Sequence, residues 1–542
     1  LQTGIRAHQE FLLILVLAVA FRTMALLVFR PGGYLGEMSD FGYYRLLLSF
    51  TNQGFYPIAD FWVEYPPIFP WILVGLYRLS LLIPAWTEPG TWFYLEISLL
   101  LLVVEAANLV LFYNIGRRLH GRERAIRLSW IYTALLVPVL ALFVGFDGMS
   151  LLFLLWAVLL TLDQRPVGSA VAAGLGFMTK LVPAAAAPAA LQHMDRRPQR
   201  LKYLVAVCLT VLVIAVPFLI AGPDYLIQSL KSPVVRSTWE TVWALIDGYF
   251  SFGVAGGVDR FDAAMAGAAQ HPTRLPWTLI TIAFLLFYLF LYTRRVDWAD
   301  RHRSVAFTAL TLNLLTLYFK GYSPQFLVTL LPFIILLIPG WRGIAYALAL
   351  SFINLVEYPL YFLVLPEEYW LLSGTVLLRT LILVVVTIEY AAQVYGWRIS
   401  PRWWRRVAAV VLGLVVIAGL IGAVAGFTAY RESRYAASPH QPVMEVLNEP
   451  AMAGITLVTD DLDAYENLYP YLRNHLSLGL VETFDYLPPW ESRLEAVAAE
   501  SPGQIWVYAP PESLLHGWMS ERYPSLSTQQ FETWLLSGWD AR

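Results

Sequence analysis

Long apolar runs separated by short polar intervals dominate the first four fifths of the chain. Runs approaching 20 residues predict membrane-spanning helices. By that test the candidates are 11–29, 92–115, 128–145, 148–162, 203–221, 277–292, 304–319, 326–339, 343–363, 371–391 and 407–427. The stretch 167–192 is also apolar but is broken by Lys180, Pro183 and Pro188. It predicts two short half-helices or a re-entrant hairpin, since non-helical backbone at membrane depth survives only when buried in protein. From Arg431 onward polar residues take over. There Ile455-Thr456-Leu457-Val458-Thr459 and Ile505-Trp506-Val507-Tyr508 read as buried strands, with helices expected over 461–475 and 491–500.

Composition sharpens this picture. Of 542 residues 58% are hydrophobic and only 14% charged, where soluble domains carry about one quarter charged, so a polytopic membrane protein is expected. A formal net charge of −2 leaves no domain-wide basic face for nucleic acid. The single cysteine, Cys208, excludes an intrachain disulfide. The first apolar run lacks a small-residue cleavage site and reads as a retained span.

Basic residues set the expected orientation. They cluster at Arg117–Arg127, Arg196–Lys202, Arg294–Arg303 and Arg398–Arg406, and the positive-inside rule makes these loops cytoplasmic. That holds only if 66–84, which carries Pro66, Pro67, Pro70, Gly75, Arg78 and Pro84, lies along the surface as an interfacial helix. The opposite face then receives 30–91, the turn at Phe146-Asp147-Gly148, the loop 222–276, Lys320 to Gln325, Pro366-Glu367-Glu368 and the tail. Acids and scattered lysines collect there. Acids gathered beside a membrane face suggest chemistry or ligand binding.

Taken together, the pieces on that face form a pattern. Asp40 follows the first helix and precedes Tyr43; then come Gly54, Tyr56 and Glu64-Tyr65-Pro66-Pro67. Phe146-Asp147-Gly148, Lys180-Leu181-Val182-Pro183 and Tyr322-Ser323-Pro324-Gln325 complete the series. Over about residues 10–340 this resembles the polyprenol-phosphate-mannose-dependent branch of the C-type (GT-C) glycosyltransferases. It is similar, more distantly, to the first mannosyltransferase of glycosylphosphatidylinositol synthesis. The resemblance implies an all-α polytopic GT-C-type fold of about 12–13 helical segments plus an interfacial helix. Residues 1–429 would be the transmembrane catalytic domain, and 430–542 a small extracytoplasmic α/β domain that the resemblance does not cover. It also implies a cell-membrane enzyme that moves a hexose, mannose by the branch, from a polyprenyl-phosphate donor to a lipid or glycan acceptor with inversion.

Such a reaction needs a carboxylate to take the acceptor's proton and cations to meet the leaving phosphate. Asp40 is the expected base, with capping of the helix beginning at Phe41 as its alternative role. Glu64, held by the restricted Tyr65-Pro66-Pro67 backbone, either assists Asp40 or caps the next helix. Asp147, at a turn between apolar runs, is the third catalytic candidate. Lys180, Lys320 and Arg45 are the candidate phosphate ligands, with snorkelling to the interface as the alternative for the lysines. Glu37, Tyr43, Tyr65 and Gln325 are candidate substrate contacts. Glu37 and Asp40 are three apart where a D-x-D pair would be two, so a divalent cation stands as an open cofactor question. The histidines show no metal-binding spacing, and a second Glu-Tyr-Pro at 357–359 reads as a chance recurrence. The rival class is a secondary transporter or lipid-linked-sugar flippase, for which Lys180 in a broken segment is suitable. The acids in loops and the lack of a half-to-half repeat argue for transfer.

Overall fold

The computed structural model describes residues 8–29, 39–83, 90–135, 145–194, 196–251, 253, 259–267, 271–397, 401–472, 477–481, 490–501 and 503–541. The chain divides into two compact units, Leu1–Leu420 and Ile421–Arg542.

The first unit is helical. Its elements are α1 (Gln9–Val28), α2 (Phe41–Ser49), α3 (Ile68–Ser80), α4 (Thr91–His120), α5 (Arg122–Ala134), α6 (Asp147–Leu162), α7 (Pro166–Phe177) and α8 (Ala186–His193). They are followed by α9 (Arg197–Ala221), α10 (Pro223–Val235), α11 (Val242–Asp247), α12 (Trp277–Tyr292), α13 (Arg301–Tyr318), α14 (Leu327–Leu337), α15 (Trp341–Leu355) and α16 (Tyr369–Tyr395). α17 (Pro401–Ala437) runs through the boundary between the units.

Among the described residues five helices are long and apolar enough to cross a membrane: α1, α4, α9, α15 with its continuation to Val364, and α16. Their outward faces are apolar. On α9, for instance, Leu209, Leu212, Val213 and Ile220 are exposed while only Tyr203 and Ala215 are buried. In water such a surface would be untenable, whereas lipid covers it at no cost, so the chain is a multi-pass membrane protein. The centre is α13 and α14. Every side chain from Ser304 to Asn313 and from Leu327 to Leu337 is buried; α14 is apolar all round, as suits a central helix, while α13 buries Ser304, Thr308, Thr311 and Asn313 among its apolar residues.

Three local features differ from, or refine, the pattern of apolar runs. The interruption within 167–192 is a true break. α7 ends at Phe177, Lys180 falls in the gap, Val182–Ala185 makes a tight 3₁₀ turn at Pro183, and α8 resumes at Ala186. The run 343–363 is kinked: after Leu355 the helix widens into a π-helical turn, Val356–Val364, where Tyr358 leaves helical backbone just before Pro359. The loop 222–276 is not all loop, since α10 and α11 lie within it.

The same loop is tied to a distant one. Trp239 N–H donates to the Lys320 carbonyl at 3.2 Å and Tyr322 N–H to the Trp239 carbonyl at 3.2 Å, forming one parallel bridge between Trp239 and Gly321. The Trp239 indole covers Gly321 and Gly253 so closely that a Cβ at either would collide with it.

The second unit carries a five-stranded sheet of β1 (Thr456–Thr459), β2 (Ser477–Leu480), β3 (Gln504–Ala509), β4 (Ser525–Phe531) and β5 (Trp534–Asp540), in the order β2-β1-β3-β5-β4. β1 pairs in parallel with β2 and β3, while the β4–β5 hairpin adds antiparallel to β3. β1 and β3 are the two strands expected from sequence. β1 is buried along its length and β3 from Ile505 onward. The helices expected over 461–475 and 491–500 are Leu462–Leu468 and Trp490–Glu500.

Gly176 sets how tightly the break around Lys180 closes. A Cβ there would meet Pro183 Cβ at 2.5 Å and Phe153 Cβ at 2.8 Å. Gly176→Ala is expected to cost about 1–3 kcal/mol by overpacking and to lower the thermal midpoint of the detergent-solubilised protein; an unchanged midpoint would mean the break closes without that contact.

Candidate functional site

Phe146 caps the start of α6, so Asp147 occupies the first turn, where a carboxylate is favoured by the helix dipole. Phe146 anchors that turn by stacking on Phe69 at 3.5 Å between ring centroids and meeting Tyr65 edge-on at 4.8 Å. The break after α7 delivers Lys180 to the same point. Its Nζ donates to Asp147 Oδ1 at 2.6 Å, with the Phe146 ring 5.2 Å and the Phe326 ring 4.3 Å away. The side chains are 14% and 3% exposed, so the pair is largely out of water. Removing one partner of such a pair strands the other's charge, at a cost of about 3–5 kcal/mol.

Asp40 belongs to this group. It precedes α2 in the cap position, but its side chain makes no cap hydrogen bond. Its Oδ2 instead accepts from the Tyr44 hydroxyl at 3.4 Å. Burial raises its carboxyl from the ordinary value to about 6, aided by the charge of Asp147 and, more weakly, of Glu64. Lys180 and the Tyr44 hydrogen bond act in the opposite sense. Two acids and one lysine therefore share one electrostatic neighbourhood.

Glu64 sits beside them in a second pair. Arg260 Nη2 donates to Glu64 Oε1 at 2.5 Å, and the two side chains are 7% and 6% exposed. The guanidinium lies 4.0 Å from the Trp62 ring centroid and also bonds the Tyr43 hydroxyl. Glu64 Oε2 carries no hydrogen-bond partner. Sequence reasoning missed Arg260. It is one of several charges in a long loop, and nothing in its neighbours distinguishes it. Tyr43, Tyr44, Glu64 and Tyr65 line one side of a hollow closed on the other by Leu47, Leu73 and Phe69.

The remaining candidates are distributed as follows. Tyr65 lies between Tyr44 and Phe146. Gln325, in the turn Pro324–Phe326, is next to Gly145 on the Asp147 side. Lys320 turns its ammonium to the Trp277 ring at 5.0 Å, and burial lowers its pKa. Arg45 lies over Tyr94 at 5.9 Å. Glu37 lies outside the described residues. The second Glu-Tyr-Pro is structural: Glu357, fully buried, pairs with Arg379, whose guanidinium stacks on Tyr322 at 3.7 Å and bonds the Glu240 carbonyl. Among the described residues no three His, Cys, Asp or Glu converge in a way that would hold a metal ion.

Comparison with known proteins gives one match to a family model. Residues 62–320, just under half of the chain, match the model of glycosyltransferase family 87. This segment holds Glu64, Asp147, Lys180, Arg260 and Lys320, and leaves Asp40 and the second unit outside. No curated protein matches the chain significantly in sequence. Among solved structures, ArnT from Cupriavidus metallidurans bound to undecaprenyl phosphate aligns at 14% identity and TM-score 0.40 over 98% of each chain. The Archaeoglobus fulgidus oligosaccharyltransferase aligns in its apo form at 10% identity and TM-score 0.36, over 93% of this chain and 70% of that one. The archaeal oligosaccharyltransferase AglB from the same organism, in complex with an inhibitory peptide and a dolichol-phosphate, aligns at 13% identity and TM-score 0.32, over 98% and 74%. TM-scores this low do not establish a common fold.

The raised pKa of Asp40 has a stability consequence. The folded state binds this proton more tightly than the unfolded chain, so the contribution is present below about pH 4 and is lost as pH rises through about 6. Asp40→Asn, which cannot ionise, is expected to raise the thermal midpoint relative to the parent above pH 6. The difference should vanish near pH 4; an equal difference at both pH values would place Asp40 in an unperturbed environment.

Proposed function

We propose that the protein is an inverting membrane glycosyltransferase that moves a hexose from a polyprenyl-phosphate donor to an acceptor hydroxyl on the extracytoplasmic side. The observation that carries this reading is the convergence of Asp147 and Lys180, both inside the glycosyltransferase match, with Asp40, which precedes it. The donor class follows the sequence resemblance, with mannose as the sugar it favours.

The geometry divides the labour between the two aspartates. Asp147 is engaged by a direct bond from Lys180 and serves to hold that cation. Asp40 accepts from the Tyr44 hydroxyl and has a pKa raised to about 6, which makes it a stronger base than an ordinary carboxylate. It takes the proton of the acceptor hydroxyl as that oxygen attacks the anomeric carbon. The bond from that carbon to the phosphate oxygen breaks, and the phosphate leaves with both electrons. Because attack and departure occur on opposite faces in one step, the anomeric configuration inverts.

Lys180 is the cation best placed for the leaving phosphate. An ammonium has three N–H donors and Asp147 uses one, leaving two for phosphate oxygens. The aromatic rings around it exclude water and strengthen that contact. Glu64, fixed by Arg260 through one oxygen, keeps its other oxygen available to orient the acceptor.

The test is transfer from radiolabelled polyprenyl-phosphate-mannose by the purified protein, with glucose- and arabinose-bearing donors in parallel and with chelator present or absent. Asp40→Asn is expected to lower the rate by about 10²–10⁴-fold while donor binding persists. The kcat/KM of the parent should rise with pH through about 6 as Asp40 loses its proton. Full activity of Asp40→Asn would remove this residue from the reaction, and no transfer from any lipid-phosphate sugar would remove the reading itself.

A further inference from the structure

Two charges lie inside the bundle, away from the loops that hold the site. Arg22 on α1 and Glu105 on α4 are each 4% exposed and line the same small hollow, with Tyr132 and Thr133 of α5 on its far side. Ionisable groups at such depth are costly and persist where something depends on them. Here the neighbour is the first turn of α6. Asn108, fully buried and one turn along α4 from Glu105, donates from Nδ2 to Glu105 Oε1 at 3.1 Å and to the Gly148 carbonyl at 2.9 Å. Gly148 follows Asp147 directly. The approach is so close that a Cβ on Gly148 would stand 2.7 Å from Glu105 Oε1.

We infer that Glu105 and Asn108 are positioning residues for Asp147, forming a polar clamp inside the membrane that fixes the start of α6 and so sets where Lys180 is held. Its link to sugar transfer rests on the reading proposed above; the clamp itself is a matter of geometry. Asn108 grips the backbone one residue beyond the ion pair. Glu105 fills the space that only glycine leaves open at 148. Arg22 offsets the charge of Glu105 across the hollow. Among the described residues Arg22 Nε, Glu105 Oε2, Tyr132 Oη and Thr133 Oγ1 have no hydrogen-bond partner, so the lining of the hollow offers several polar atoms that water molecules could bridge.

The chain has only four lysines, Lys180, Lys202, Lys231 and Lys320, which makes a readout independent of activity available. Reductive ¹³C-methylation of the full chain in detergent gives one dimethyl-lysine signal for each, and loss of the Lys180 signal in Lys180→Arg assigns it. Asn108→Leu and Gly148→Ala are expected to move the Lys180 signal and leave the other three in place. Glu105→Gln, which keeps an acceptor oxygen for Asn108, is expected to leave all four unchanged. If transfer is detected, Asn108→Leu should lower kcat about tenfold or more with the KM for donor within twofold. Should Asn108→Leu fail to fold, Gly148→Ala and the milder Asn108→Ser carry the comparison. A Lys180 signal unmoved in the folded variants overturns the clamp whatever the transfer assay gives. Moved signals with no transfer from the parent uphold the clamp and overturn the function.

Discussion

The arrangement depends on one short contact, the ion pair of Lys180 and Asp147. Asp147 opens one helix and Lys180 falls in the gap after another, and neither charge would be tolerated alone beside Phe146 and Phe326. Their pairing allows a broken segment to pack in the membrane and brings a cation close enough to act on the charge of Asp40. Asp40 lies in the same neighbourhood, where burial, and after it the charge of Asp147, pushes its carboxyl up. The two acids differ in their contacts: Asp147 is bonded to Lys180, and Asp40 accepts from the Tyr44 hydroxyl.

Much of this was legible because charge is scarce. In a chain with four lysines, Lys180 between Thr179 and Pro183 stands out, and Asp147 between glycines does the same. The apolar runs located the long helices for the same reason: a spanning helix must satisfy its backbone internally and present apolar side chains throughout. The strands β1 and β3 were readable because buried parallel strands are continuous apolar runs. The hairpin of β4 and β5 was not. Ser525 to Phe531 is mainly polar and exposed, and alternates in no way that marks a strand.

What the sequence did not reveal are pairings across distance. Glu64 was a candidate, but its partner Arg260 is 196 positions away in a loop with other charges. Glu357 stands in a repeated Glu-Tyr-Pro, and nothing in that tripeptide points to Arg379, its ion-pair partner on the next long helix. Lys320 had the same local signal as Lys180, yet the fold turns its ammonium to Trp277. Glu105 carried a local signal of its own: an acid midway along a 30-residue, mainly apolar helix is costly and persists where something depends on it.

The bridge between Trp239 and Gly321 joins two segments some eighty positions apart through a pair of main-chain hydrogen bonds sealed under one indole. Neither segment can unfasten without the other. Solvent deuterium should therefore reach the amides of Trp239 and Tyr322 in the same opening event and at the same rate, so that the long loop and the turn holding Gln325 behave as one cooperative unit.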